Sequence, residues 1–109
     1  MHTKNSEIII EQVSTGIKRK ILSHSEKLML VELSMANGAQ GSKHSHPHEQ
    51  ITYVVSGKVS FYEEGKPDSI LIAGDSYYIT PNSVHGLIAL EDSKILDIFT
   101  PAREDFLKK

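Results

Sequence analysis

Residues 38–57 read GAQGSKHSHPHEQITYVVSG, in which His44, His46 and His48 occupy alternate positions just ahead of the apolar run ITYVVS. In an extended strand, side chains two residues apart point to the same face, so His44 and His46 can converge on one cation while Ser45 points away. Neutral imidazole is a common ligand for divalent transition metals. Pro47 breaks the strand ladder and leaves the face of His48 open. By itself the cluster fits a solvated polar turn as well as it fits a metal site, because a site needs another ligand from a distant strand. His85 offers one: it follows the turn Pro81-Asn82-Ser83 and heads another strand-like run.

The periodicity outside this stretch is also that of strands. EIIIEQV, KRKIL, KLMLVELSM, ITYVVS, KVSFYEE, SILIAG, SYYIT, GLIAL and KILDIFT are short runs rich in Ile, Val, Leu and Tyr, separated by turn residues. Ser56-Gly57, Glu64-Gly65-Lys66-Pro67-Asp68 and Gly74-Asp75 have turn composition. Only the tail from Arg103 to Lys109 reads as helical, and at that length its helicity depends on tertiary contacts. The pattern predicts an all-β sandwich or barrel.

At 109 residues the chain fits one domain, expected over residues 1–109. Twelve Lys and Arg against fourteen Asp and Glu leave a net charge of -2 without a basic block, which argues against nucleic acid as a partner. No apolar stretch approaches the roughly 20 residues that span a bilayer, and MHTKNSEIII lacks the features of a secretory signal, so a soluble cytoplasmic protein without a membrane partner is expected. With no cysteine, any metal must be held by nitrogen or oxygen.

The spacing resembles a known pattern. Gly38, five residues, His44-Ser45-His46, three residues, Gln50, six residues, Gly57 is similar to the first cupin motif, where the position of Gln50 is usually Glu. Gly74 to His85 resembles the second motif, with Thr80 at the usual Pro, Asn82 at the usual Gly and Ala89 at a terminal Asn. Asn is the non-glycine residue that best tolerates left-handed backbone, so the turn at Asn82 can survive the exchange. The resemblance implies a cupin jelly-roll barrel with a short C-terminal helical tail. It also implies a metal set of His44, His46, Gln50 and His85; His48 is a weaker ligand candidate that fits better as a turn histidine lining the entrance or bonded locally. Such a set is neutral and leaves the cation's charge uncancelled, which favours Lewis-acid chemistry over the Fe(II) redox chemistry of histidine and carboxylate sets. Zn, Ni, Mn, Fe and Co all suit these donors.

Near the C-terminus, KILDIFTPAREDFL places Asp97 among apolar neighbours. Alternation alone leaves two readings: Asp97 inward with Ile95 and Phe99, or outward while Leu96 and Ile98 face the core. HSHPHEQ together with this closing stretch is similar to the small single-domain cupins of the pectin-degradation KdgF type. That resemblance implies conversion of 4,5-unsaturated uronates, products of pectin and alginate lyases, to linear 5-keto-4-deoxyuronate. It implies Asp97 as the proton-transfer group beside the metal, with Phe99 two residues on and Arg103 shortly beyond. Phe99 would form an apolar wall, and Arg103 either pairs with the carboxylate of a small anionic sugar-acid substrate or stands solvated at the start of the terminal helix. Tyr53, Tyr62, Tyr77 and Tyr78 are expected in the core or at an interface rather than in a sugar pocket. A homodimer is expected by the same resemblance, with EIIIEQV as a candidate exchanged edge strand. Two other functions fit the same motifs: a non-catalytic metal-dependent binder of small acids or sugars, and a cupin dioxygenase.

Overall fold

In the computed structural model, which describes residues 1–108, the period-two alternation of the sequence becomes alternation of burial. Along ITYVVS, the side chains of Thr52 and Val54 are buried while Ile51, Tyr53 and Val55 are exposed. In chain order the strands are β1 (Glu11–Ser14), β2 (Ile17–His24), β3 (Met29–Met35), β4 (Gln40–His44), β5 (Glu49–Ser56), β6 (Lys58–Glu63), β7 (Ser69–Ile72), β8 (Ser76–Ile79), β9 (His85–Ala89) and β10 (Ser93–Thr100). A 3-10 turn, Asn5–Glu7, precedes them and one helical turn, α1 (Glu104–Leu107), follows.

The strands form two antiparallel sheets, ordered β1-β2-β3-β10-β5-β8 and β4-β9-β6-β7. From β3 onward the chain keeps crossing between the sheets, staying in one only for the β6–β7 hairpin. This is a jelly-roll barrel, and residues far apart in sequence meet inside it. Val54, Val59, Phe61, Ile79 and Ile95 are sealed in the main apolar layer, each burial contributing roughly 1.5–3 kcal/mol. A second apolar cluster of Met29, Val31, Phe99 and Ala102 lies nearer the C-terminal tail. Gln50 and Thr52 precede Val54 on the inward face of β5, and Asp97 separates Ile95 from Phe99 on β10. A polar layer therefore lies beside the apolar one on the same inner faces.

Three expectations need correction in detail. The EIIIEQV run is paired only from Glu11, against β2 of its own chain at the sheet edge, while Ile9 and Ile10 are exposed. The strand β4, QGSKH, was absent from the expected set because it carries no β-branched or aromatic residue. It pairs with β9 because Gly86 admits it: a Cβ there would lie 2.9 Å from the Gly41 carbonyl oxygen. The helical tail is confined to Glu104–Leu107, and Lys109 lies outside the described residues.

Candidate metal centre

His44 closes β4 directly opposite His85, which opens β9. His46 lies beyond the end of β4, so the strand alternation expected for the pair does not extend to it. It reaches the same space because the Asn82 N–H donates to the His46 carbonyl at 2.7 Å, tying the turn after β4 to the turn before β9. Asn82 has φ 67°, the left-handed geometry that the usual glycine would supply. The ring centroids of His44 and His46 lie 4.5 and 4.9 Å from that of His85. One ligand nitrogen from each of the three lies within 4.8 Å of the others.

The proton positions follow from the backbone. Nδ1 of His44, His46 and His85 lies 2.8, 3.2 and 2.8 Å from the carbonyls of Ser42, His48 and Ser83. Each Nδ1–H donates to its carbonyl, which in a neutral imidazole leaves Nε2 as a bare lone pair. His85 Nε2 is buried without a partner among the described residues. His46 Nε2 lies 2.8 Å from Gln50 Oε1. The amide cannot turn to donate there, because its Nε2–H groups already go to Thr52 Oγ1 at 2.9 Å and Asp97 Oδ1 at 3.2 Å. Protonation does not resolve the conflict at neutral pH. Burial pulls His46 down to about 4, with Gln50 opposing and Arg103 and the neighbouring imidazoles adding to the fall, and burial likewise lowers His85. Lone pairs that face one another without a proton to share suit a cation, and nitrogen with amide oxygen suits a divalent transition metal.

Asp97 points inward and is 7% exposed, which decides between the two readings of its strand. Its Oδ1 accepts from Thr52 Oγ1–H at 2.6 Å and from Gln50 Nε2–H. Burial raises its pKa from 3.8 to about 6, against the lowering effects of the Thr52 and Gln50 bonds and of the His44 and Arg103 charges. Phe99, also buried, meets His46 edge-on with centroids 5.6 Å apart. The Arg103 guanidinium lies 4.2 Å from the centre of the Phe106 ring and 5.1 Å from that of Phe99. Its Nε and Nη2 donate to the two carboxylate oxygens of Asp105 at 3.0 and 2.9 Å, and this bond holds Asp105 below its ordinary range.

His48 stands apart from the three-histidine group and serves it through its carbonyl; its own Nδ1 is buried without a partner among the described residues. Tyr53 and Tyr78 lie on the outer face of the six-stranded sheet and Tyr62 lies under Lys43, whereas Tyr77 turns inward to donate to Glu63 at 2.7 Å. Sequence reading did not single out Thr52 or Glu63. The signal for Thr52 was its place two residues after Gln50, on the same face of β5.

The chain as a whole has relatives. The cupin domain profile matches residues 31–99. The pectin degradation protein KdgF of Dickeya dadantii is 43% identical over 99 residues, 89% of each chain. The solved structure of KdgF from Halomonas sp. superposes with a TM-score of 0.92 at 38% identity over 97% of both chains. An RmlC-like cupin from Shewanella frigidimarina gives 0.89 at 34% identity, covering 97% of this chain and 99% of that one. By this profile, these relatives and this barrel, the chain belongs to the cupin family, among the small cupins of the KdgF type.

Proposed function

We propose that this chain, working as one cupin domain in the cytoplasm, converts 4,5-unsaturated uronates to linear 5-keto-4-deoxyuronate. The observation that carries the reading is Asp97: a buried carboxylate with a pKa near 6, hydrogen-bonded to Gln50 and so one residue removed from three converging imidazoles. His44, His46, Gln50 and His85 would hold the ion. A bound divalent cation supplies Lewis-acid polarisation of a substrate oxygen.

The net reaction is an isomerisation that needs no second reactant. The proton of the anomeric hydroxyl leaves, the bond from C1 to the ring oxygen breaks to give an aldehyde, and the resulting C5 enol gains a proton at C4 as it becomes the ketone. Asp97 is suited to both transfers, since it is a buried carboxylate beside the metal set, ionised to take the hydroxyl proton and able to return it at C4. Thr52 and Gln50 occupy Oδ1, which leaves Oδ2 to carry that proton. Phe99 excludes water from one side of His46. Asp105 engages one side of the Arg103 guanidinium through Nε and Nη2, leaving the Nη1–Nη2 edge for two parallel bonds to the substrate carboxylate.

The test is anaerobic incubation of metal-loaded protein with an unsaturated uronate, following loss of the ultraviolet absorbance of the double bond. Faster decay than in buffer is expected, with a loss of about 10²–10⁴-fold in Asp97→Asn at unchanged metal content. No anaerobic acceleration would overturn the reading; oxygen consumption in a parallel aerated assay would favour the dioxygenase, and metal-dependent binding without turnover would favour the binder.

We also infer that two copies pair through the outer face of the six-stranded sheet. Ile51, Tyr53 and Val55 on β5 and Tyr78 on β8 stand exposed there, beside the half-buried Leu96 and Ile98 of β10. Sedimentation should show a dimer that Ile51→Lys dissociates; a wild-type monomer at micromolar concentration would refute the pairing.

A further inference from the structure

Glu63 is a buried carboxylate, 2% exposed, that the proposed reaction does not use. It closes β6 directly across from His85. Three donors converge on it: Tyr77 Oη–H at 2.7 Å and Lys66 Nζ at 3.1 Å reach Oε1, and Ser83 Oγ–H at 2.7 Å reaches Oε2. Ser83 thus makes two different contacts, donating its hydroxyl to Glu63 and accepting His85 Nδ1–H at its carbonyl. The path from Glu63 to the free Nε2 of His85 contains one residue.

A carboxylate in this position is costly unless it is paired, and an apolar residue would fill the place with less penalty. Its charge has a use beside a neutral ligand set. Three imidazoles and an amide cancel none of a divalent cation's charge, so compensation must come from groups behind them. Outer partners that orient a ligating imidazole and add negative charge commonly strengthen a metal site.

We propose that Glu63 is an anionic outer support of the metal centre on its His85 side, as Asp97 stands behind Gln50 on the other, holding Ser83, and through it the Nδ1–H form of His85, so that Nε2 faces the ion. The carboxylate is ionised at neutral pH: burial would raise its pKa, but the bonds from Ser83, Tyr77 and Lys66 outweigh burial and lower it. Tyr77 remains a donor throughout, because burial and Glu63 together raise its hydroxyl to about 12. Glu63 acts through another residue and is a positioning residue, not a catalytic one.

The proposal rests on the metal reading but not on the uronate reaction, so it is tested with Zn(II) alone, by chelator competition on the full chain. Glu63→Gln, similar in shape and without charge, should weaken Zn(II) binding by about 10–100-fold. Nitrogen chemical shifts of His85 in the metal-free protein should report a mixture of ring tautomers where the wild type shows one. Ser83→Ala should show the same two effects more weakly, and it carries the test if Glu63→Gln does not fold. Tyr77→Phe, which leaves the charge and the Ser83 bond in place, should keep affinity within about twofold while lowering the urea midpoint of unfolding, as expected when a buried acceptor loses a donor. Unchanged affinity and a single tautomer in Glu63→Gln, or in Ser83→Ala if that variant carries the test, would overturn the proposal. So would equal affinity losses in Tyr77→Phe and Glu63→Gln, which would reduce the network to a support for the fold. A wild-type chain that binds no Zn(II) would overturn the metal reading and this inference with it, whereas Zn(II) binding without uronate turnover would leave this inference standing.

Discussion

Thr52 joins two groups whose roles differ. Its hydroxyl proton goes to Asp97 Oδ1, and its lone pair accepts Gln50 Nε2–H, so one oxygen orients both the acid and the amide. The direction of each bond is forced, since a carboxylate only accepts and the amide nitrogen only donates. Gln50 Oε1 must then face His46. Thr52→Val preserves the side-chain shape and removes that oxygen. It should cost about 1–3 kcal/mol of folding stability, the range for leaving a buried acceptor short of a donor. It should also raise the pKa of Asp97 further, because the Thr52 bond is the leading influence opposing burial. On the uronate reading, the low-pH arm of the rate profile then moves to higher pH. Thr52→Ser, which restores the hydroxyl, should move it back. A Val variant with the wild-type profile would show that Gln50 alone orients Asp97.

At the scale of elements, the ends of strands matter more than their middles. Gly57 links β5 to β6 with φ 90°, and a Cβ there would lie 2.5 Å from the Asp92 carbonyl oxygen and 2.7 Å from Ser93 Cα. Gly38, the other terminal glycine of the first motif, has φ 88° but nothing within 4 Å of its Cβ direction. Gly38→Ala should therefore cost only the left-handed strain, roughly 1–2 kcal/mol. Gly57→Ala adds a backbone collision and should cost about 2–5 kcal/mol. Urea unfolding of both variants checks the difference, and equal losses would mean that the β10 start yields easily. These positions also show what the sequence could and could not disclose. The spacing from Gly38 to Gly57 and from Gly74 to His85 marked both motifs, and the alternation in ITYVVS became the burial pattern of β5. KILDIFT was undecidable alone, since Ile95 and Phe99 on one face are matched by Leu96 and Ile98 on the other. Register supplied the decision: β10 places Asp97 beside Thr52 and Phe99 beside Gln50. β4 was invisible because its pairing depends on the partner strand's glycine, not on its own composition.

For the molecule as a whole, the buried site sets two opposing dependences of stability on pH. Asp97 titrates at 3.8 when unfolded and at about 6 when folded. Between those values the unfolded chain releases its proton first, so this group's contribution falls as pH rises, by about 3 kcal/mol in total, and is flat above. His46 runs the other way. Its pKa is 6.5 unfolded and about 4 folded, so the unfolded chain takes up a proton first as pH falls through that window, and stability falls with it. His85, lowered in the same sense, adds to the second slope. In the metal-free protein these slopes overlap between about pH 4 and 6 and partly cancel. Asp97→Asn removes the first slope and keeps an acceptor for Thr52. The stability advantage of that variant over wild type should grow by up to about 3 kcal/mol between pH 4 and pH 7, measured by urea unfolding of metal-free protein at several pH values. An advantage that does not change with pH would mean that Asp97 does not titrate in this range. Metal should shrink the gain near neutrality, because a nearby cation favours the ionised carboxylate and lowers the folded pKa toward the unfolded one. The same carboxylate that weakens the empty barrel above pH 6 thus costs less when the site fills, so metal loading and an ionised Asp97 stabilise one another.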